Sequence, residues 1–235
     1  WQLGQIATGE YQYIGHTIAK EIIPIARVTV EDTVDKLSSI LPIYSNLNVN
    51  GVALNDKRLI PDVNGLVAYL VTDTVNLMKT GKVIAWAEDA IVQGTSKVFV
   101  RCLDGETGSN EYKGQVSGKS TKYLVFSADL VASNTIDITL NALVMTQVTF
   151  ATDHDTTMDQ IVTNLNLLAG VEAEIVTEDA TYRTIRVSYV SANVNVTNAV
   201  VAAGASQATI TVSELHSALW GSAKFRSSTS NAGLV

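Results

Sequence analysis

The sequence predicts a mainly β protein: a small antiparallel β-sandwich or barrel body, an inserted α+β domain and an extended N-terminal arm. Three observations lead there. Short β-favouring runs succeed one another from Ile22 onward, with Gly, Pro, Asn and Asp between them. Only one long segment, "TTMDQIVTNLNLLAG", switches to helical period. The first twenty residues carry aromatic and polar side chains with turn-forming glycines and no sustained period.

That opening stretch, "WQLGQIATGEYQYIG", has Trp1, Tyr11 and Tyr13 to bury but no periodic core of its own. It reads as a tether that orders against something else. The body comes next with "IIPIARVTV", "NVNGVAL", "GLVAYLV", "TVNLMKTGKVIAWAE" and "TSKVFVRCL". "MKTGKVIAW" reads as a hairpin turning at Thr80-Gly81, and "AIVQGTSKVFV" as a second one turning at Gly94. Strands this short and this closely spaced describe a barrel or sandwich. "VEDTVDKLSSILPIY" leaves an alternative open, since Val30, Val34, Leu37 and Leu41 fall at helical spacing with Pro42 to end a brief helix.

From about Lys122 the pattern is more regular. "TIDITLNA" and "LVMTQVTFAT" alternate like paired strands, and the helical segment then aligns Met158, Ile161, Val162, Leu165 and Leu168 in one stripe. Thr156 with Asp159 forms a capping-box signature, and Gly170 stands where a helix end favours a left-handed residue. "VEAEIVTE", "YRTIRVSYV", "NVNVTNAVV" and "SQATITVS" alternate again. The expected unit is ββαβββ, one helix across an antiparallel sheet. "SELHSALWGSAKFRSSTSNAGLV" then returns to the body. The expected boundaries are residues 1–20 for the arm, 21–121 with 213–235 for the body, and 122–212 for the insert. The chain starts at Trp1 without Met and stops on apolar residues, so we expect a trimmed or processed form of a longer product.

Composition narrows the function classes. The 235 residues are 46% hydrophobic and only 17% charged, a surplus of apolar surface that needs a core or a partner to cover it. No apolar run is long enough to span a bilayer, so no membrane partner is expected. A net charge of −7 and the lack of a basic cluster along the chain argue against nucleic acid as a partner. The single cysteine, Cys102, excludes an intrachain disulfide and reads as a small buried apolar residue.

Motifs for chemistry fail one by one. "KGQVSGKS" ends in Gly-Lys-Ser, but a phosphate-binding loop needs four residues between its glycines and Gly114 leaves three before Gly118. Asp153, His154 and Asp155 fit a strand-to-helix turn whose carboxylates favour the helix N-terminus. His16 and His216 have no serine or cysteine of nucleophile-elbow type to serve, since no Gly-x-Ser-x-Gly occurs. Glu88-Asp89 and Glu178-Asp179 are adjacent pairs, and neighbouring strand residues point to opposite faces. We therefore expect no enzyme, with no catalytic residue, cofactor or metal.

The run "VNGVALNDKRLIPDVNGLVAYLVTDTVNLMKTGKVIAWAEDAIVQGTSKVFVRC", Val49 to Cys102, resembles the cement, or head-decoration, proteins of tailed bacteriophages. The family's "GVAL" strand corresponds to Gly51-Val52-Ala53-Leu54, and its next strand to Val75–Val83 around Gly81. Its "A-x-x-x-G-x-x-V-x-V-R" run corresponds to Ala90, Gly94, Val98, Val100 and Arg101. "EIIPIARVTV" is similar to the family's entry strand, with Ala26 where glycine is usual, and "SAKFRSSTSNAGLV" is similar to its final strand. "VTFATDHDTTMDQIVTNLNLLAGVEAEI" and "GASQATIT" resemble α+β domains of phage virion proteins.

The resemblance implies a structural protein that binds the outer surface of an icosahedral head and locks neighbouring major capsid subunits together. Its partners would be the major capsid protein and other copies of itself, as a dimer or a trimer. Its place would be the outer face of the virion, with Trp1, Tyr11 and Tyr13 as candidate capsid contacts. The alternative is a head-fibre, spike or tail protein whose inserted domain binds a host surface.

Overall fold

A computed structural model describes residues 13–43, 48–55, 59, 67–80, 82–103, 112–176, 179–226 and 233–234. The chain forms two compact units, residues 1–118 with 217–235 and residues 119–216.

The first unit is built on a closed five-stranded barrel. In chain order its elements are β1 (Tyr13–Ala19), β2 (Ile23–Pro24), β3 (Val28–Glu31), β4 (Ser38–Ile40), β5 (Val49–Ala53), β6 (Ala68–Tyr69) and β7 (Thr74–Thr80). The barrel closes in the order β1-β4-β3-β5-β7, with β7 returning to β1, while β2 and β6 pair with each other. β1 runs parallel to β4 and antiparallel to β7. Residues 13–19, expected in the tether, are thus a barrel wall. The reason is the alternation of Gly15, Thr17 and Ala19, whose small side chains face inward, where a narrow barrel has room for little else.

The interior has an apolar and a polar part. Ala19, Ala53, Val75 and Leu77 pack with Ile23 and Tyr69, and the Tyr69 hydroxyl donates to the Leu54 carbonyl at 2.9 Å. Elsewhere Asn50 Nδ2 donates to Ser39 Oγ at 2.8 Å, Ser39 Oγ to Thr17 Oγ1 at 3.4 Å, and Thr17 Oγ1 to the Leu37 carbonyl at 2.6 Å. This chain of buried hydroxyl and amide groups ties β5, β4 and β1 together.

Among the described residues the brief helix expected from Val30 onward does not form, for bends and turns join the end of β3 at Glu31 to the start of β4 at Ser38. Between them the Asp32 carboxylate accepts the N–H groups of Val34 at 2.7 Å and Asp35 at 2.9 Å. That side chain offers the backbone a turn in place of a helical hydrogen bond.

A second sheet of short strands completes the unit: β8 (Trp86–Ala87), β9 (Phe99–Arg101) and β10 (Val116–Ser117), joined by two strands from the end of the chain. Neither expected hairpin forms. Among the described residues β7 pairs within the barrel, whereas β8 pairs in parallel with β10, and β9 lies antiparallel on the other side of β10. Gly94 does take a left-handed turn, with φ 77°, but it leads into a different neighbour. A core of Val28 and Val52 from the barrel with Ala87, Ile91, Val98 and Val116 from the sheet region fills the unit outside the barrel.

The second unit contains β11 (Ser120–Phe126), β12 (Thr135–Leu140), β13 (Leu143–Val144), β14 (Val148–Thr149), α1 (His154–Asn166), β15 (Val171–Ile175), β16 (Thr184–Tyr189), β17 (Val196–Ala202) and β18 (Ile210–Val212). They form antiparallel pairings in two groups. β16 sits between β15 and β11, with β18 on β11; β12 carries β13 and β14 on one side and β17 on the other. Asn141 and Ala142, with φ 49° and 64°, make the tight turn from β12 to β13, the two-residue hairpin whose central residues both take positive φ.

The helix buries Met158, Ile161 and Leu165, with Val162 and Leu168 half-buried beside them. It begins earlier than the capping box at Thr156 implies. Asp153 is the cap, its carboxylate accepting the Thr156 N–H at 2.7 Å. Thr157 donates its hydroxyl to the Asp153 carbonyl at 2.7 Å, and Asp159 accepts from the Tyr182 hydroxyl at 2.8 Å. A carboxylate at the cap also meets the positive end of the helix dipole, which favours Asp153 over a hydroxyl. Gly170 is left-handed, φ 76°, but lies in the turn into β15; the helix itself ends on Leu167 in right-handed geometry.

After the second unit the chain supplies β19 (Ser217–Leu219) and β20 (Gly233–Leu234), which pair with β9 and β8 respectively. Among the described residues no helix is long and apolar enough to cross a membrane.

Candidate functional site

The residues that could have carried chemistry are engaged in holding turns. Gly118 donates its N–H to the Asp89 carboxylate at 2.7 Å, and the Ser117 hydroxyl donates to the same group at 2.8 Å. An amide already facing a carboxylate is a poor cradle for phosphate. The neighbouring Lys119 pairs with Glu172 at 2.7 Å.

Glu88 turns away from Asp89 and pairs with Arg101, which lies with it in the interior of the first unit. The adjacent carboxylates thus serve two separate partners. In the second unit Asp179 folds back on its own turn, accepting from the Thr181 N–H at 2.9 Å and the Arg183 N–H at 3.0 Å; Glu178 lies outside the described residues. Burial opposes ionisation of Asp179, yet hydrogen bonds from Thr181, Thr184 and the Arg183 amide hold its carboxyl down at about 2.

Each histidine has a local task. His16 Nδ1 lies 2.8 Å from the Asn76 side-chain oxygen on the outer barrel wall. His154 Nδ1 accepts the Leu130 N–H at 3.0 Å, which places the ring proton on Nε2, 3.1 Å from the Tyr182 carbonyl. His216 meets the Tyr123 ring edge-on, with centroids 4.3 Å apart. Cys102 is buried, and burial pushes its thiol up to about 12. Among the described residues no group of three or more His, Cys, Asp or Glu could hold a metal ion.

Of the candidate contact residues, Trp1 and Tyr11 lie outside the described residues. Tyr13 opens β1, where its backbone pairs with Thr80; its side chain is likewise outside what is described.

Two surfaces of the first unit are unusual instead. The first is a crown of apolar side chains at one end of the barrel. Backbone hydrogen bonds from Ile18 to Leu37, from Thr72 to Ala19 and from Ala19 to Asp73 hold three segments side by side there. They expose Ile18, Ile22, Val34, Leu37, Leu70 and Val71, with Val34 92% and Leu37 78% accessible. Several large apolar side chains exposed together mark a surface made to be covered.

The second is a groove of about 480 Å³ where the β5–β7 wall of the barrel meets the segment after β19. Its apolar walls include Val83, Trp220 and Phe225. Lys79, Lys82, Lys224 and Arg226 line it as well, and none of the described lining residues is acidic. The aliphatic stem of Lys79 lies directly over Gly15, where a Cβ would stand only 2.5 Å from Lys79 Cε. The four basic residues form no cluster along the sequence. They sit some 140 positions apart in sequence, in two pairs that no local pattern connects.

The crown had a faint signal. Val34 and Leu37 are large apolar residues inside a turn-forming run, but the same residues also fit a helical stripe. Compared with known proteins, the chain matches no family model, no curated protein and no solved structure.

Proposed function

We propose that the protein is a structural component of a virion that binds the outer surface of an icosahedral phage head and stabilises contacts between major capsid subunits. The observation that carries this reading is the apolar crown of the barrel, a non-catalytic surface of large side chains left for a partner. Support also comes from where the family-like residues fall. Gly51 to Ala53 end β5 with Leu54 directly after it, Val75 to Thr80 lie in β7, and Val98, Val100 and Arg101 belong to or flank β9, so the run supplies the frame of the unit that bears the crown. Ala26, at the position where the family usually has glycine, holds a left-handed backbone with φ 62°.

In this reading no residue is catalytic. A protein that binds only the assembled shell shifts the assembly equilibrium toward it by mass action, and many copies add their small contributions. Self-association as a dimer or trimer on the head would multiply the contacts of each copy. The acidic chain repels nucleic acid and takes protein as its partner.

The test is sedimentation of the purified protein with undecorated heads, counting copies bound per capsid subunit. A fixed, saturating ratio over the whole head supports the reading. Absence of binding, or a handful of copies per particle, overturns it in favour of a fibre, spike or tail role in which residues 119–216 contact a host surface.

A further inference from the structure

β1 is held unequally on its two sides. Toward β7 its register runs unbroken from Ile14 opposite Met78 to Ile18 opposite Thr74, whereas toward β4 it pairs only at Ile18 with Ser38 and Ala19 with Ser39. The main-chain groups of a strand alternate between its two edges. Ala19 donates to the Asp73 carbonyl and accepts from the Thr72 N–H on the β7 side, while Ile18 and Lys20 donate to Leu37 and Ser39 on the β4 side. By that alternation the N–H and C=O of Ile14 and His16 also face the β4 side, beyond the point where β4 begins at Ser38. The residues before Ser38 do not extend β4 along them, because the Asp32 carboxylate folds that stretch into a turn. Among the described residues nothing pairs with Ile14 or His16 on this edge.

The chain defends another such edge. On β15, the outermost strand of its sheet, the N–H and C=O of Ala173 are closed off by the Asn166 side chain at 2.7 and 2.9 Å, between Glu172 and Glu174. From Ile14 to Ala19, by contrast, β1 has no charged residue, no proline and no register shift. Its outward side chains include Ile14, 39% exposed, and His16, whose Nδ1 lies 2.8 Å from the Asn76 side chain on the β7 side.

We propose that two copies of the chain pair along this edge, β1 against β1 in antiparallel sense, to form a two-fold dimer with one sheet running through both barrels. With the axis beside Gly15, Ile14 of each copy stands opposite His16 of the other. Each such pair exchanges both N–H and C=O, so the interface gains about four main-chain hydrogen bonds. Pairing stops where Ile18 is already bonded to Leu37, which fixes the register.

Two arguments select a second copy as the occupant. Copies of a chain with net charge −7 repel, and the uncharged stretch is where that repulsion is weakest. Two-fold pairing also satisfies both edges at once, whereas a lone added strand exposes a far edge of its own. The dimer gives a surface to the self-association of the shell reading, but follows from the open edge alone.

The test is sedimentation velocity of the full chain from about 1 to 200 μM, where a monomer–dimer equilibrium is expected. Ile14→Lys, at an exposed position, and His16→Pro, which removes an N–H that β7 does not use, should each weaken it by at least about tenfold with circular dichroism unchanged. If His16→Pro disturbs the barrel, Ile14→Lys carries the test by itself. Oxidation of the variant carrying both Ile14→Cys and His16→Cys should give a covalent dimer, since opposed strand residues about 5.5 Å apart suit a disulfide.

A chain that stays monomeric throughout, a trimer, or a dimer unaffected by Ile14→Lys overturns the proposal. So does a dimer that Val34→Ser with Leu37→Ser abolishes and Ile14→Lys leaves intact, which gives self-association to the crown. Heads separate this inference from the shell role. A dimer that leaves heads bare keeps the edge pairing and removes the shell role; a monomer that decorates them fully does the reverse.

Discussion

Arg101 and Glu88 form an ion pair sealed inside the first unit, with Nε and Oε2 2.5 Å apart and side chains only 2% and 5% exposed. Glu88 also accepts from the Ser217 hydroxyl at 3.4 Å, so the pair joins the segment after β8 to β9 and β19. Two charges withdrawn from water this far stabilise the fold only while both are present.

Removing one partner should therefore be costly. Glu88→Gln or Arg101→Met is expected to lower stability by about 3–5 kcal/mol, because each leaves a buried charge without its counter-charge. Replacing both, Glu88→Leu with Arg101→Met, should recover much of that loss. Urea titration of the three variants decides it, and a double variant no better than the single ones would show that packing, not charge, sets the cost.

Ala26 is buried with φ 62°, in a region that costs an L-residue about 1–2 kcal/mol. Ala26→Gly relieves that strain and loses a methyl contact worth about 0.8 kcal/mol, so stability should rise by less than about 1 kcal/mol. Ala26→Val should cost more than about 2 kcal/mol, since a β-branched side chain is a true outlier there. Thermal unfolding of the two variants should move in opposite directions.

Asp179 makes acid stability testable. Its carboxyl is lowered from 3.8 to about 2 in the folded protein, so the unfolded chain binds the proton more readily. The stabilisation is complete above about pH 4 and disappears as pH falls toward 2. Asp179→Asn should be less stable than the parent at pH 6, and the gap should close between pH 4 and 2. A gap that stays constant across that range would rule out the ionised turn as its source.

The crown should separate binding from folding. Val34→Ser and Leu37→Ser replace exposed side chains, so each should change stability by no more than about 0.5 kcal/mol. Together they should weaken head binding by about tenfold, read by the same sedimentation assay. Full decoration by the double variant would remove the crown as the contact surface.

Cys102 offers a probe of the first unit's core. With its thiol pushed up to about 12 by burial, it should resist a thiol reagent at pH 8 in the native protein and react readily in denaturant. Rapid reaction of the native protein would mean that β9 opens on the timescale of the assay.

The sequence by itself determined the local elements whose periodicity is decided by near neighbours. The alternation of Ile136, Ile138 and Leu140 specified a half-buried strand, and the stripe Met158, Ile161 and Leu165 specified the helix, because each pattern presents one apolar face whatever packs against it. The mainly β class came from the same short alternating runs. The tertiary structure alone decided which strands pair. β7 and β8 are neighbours in sequence, yet β7 closes the barrel on β1 and β8 lies on β10, since hydrogen-bond partners across a sheet leave no mark in the local pattern. It also decided the start of α1, where Asp153 and Thr156 both suit a cap and the carboxylate is the one that takes the Thr156 N–H. The candidate surfaces were hidden for the same reason. Lys79 and Arg226 line one groove, and Ile18, Leu37 and Leu70 share a barrel end, only because tertiary pairing brings distant segments together.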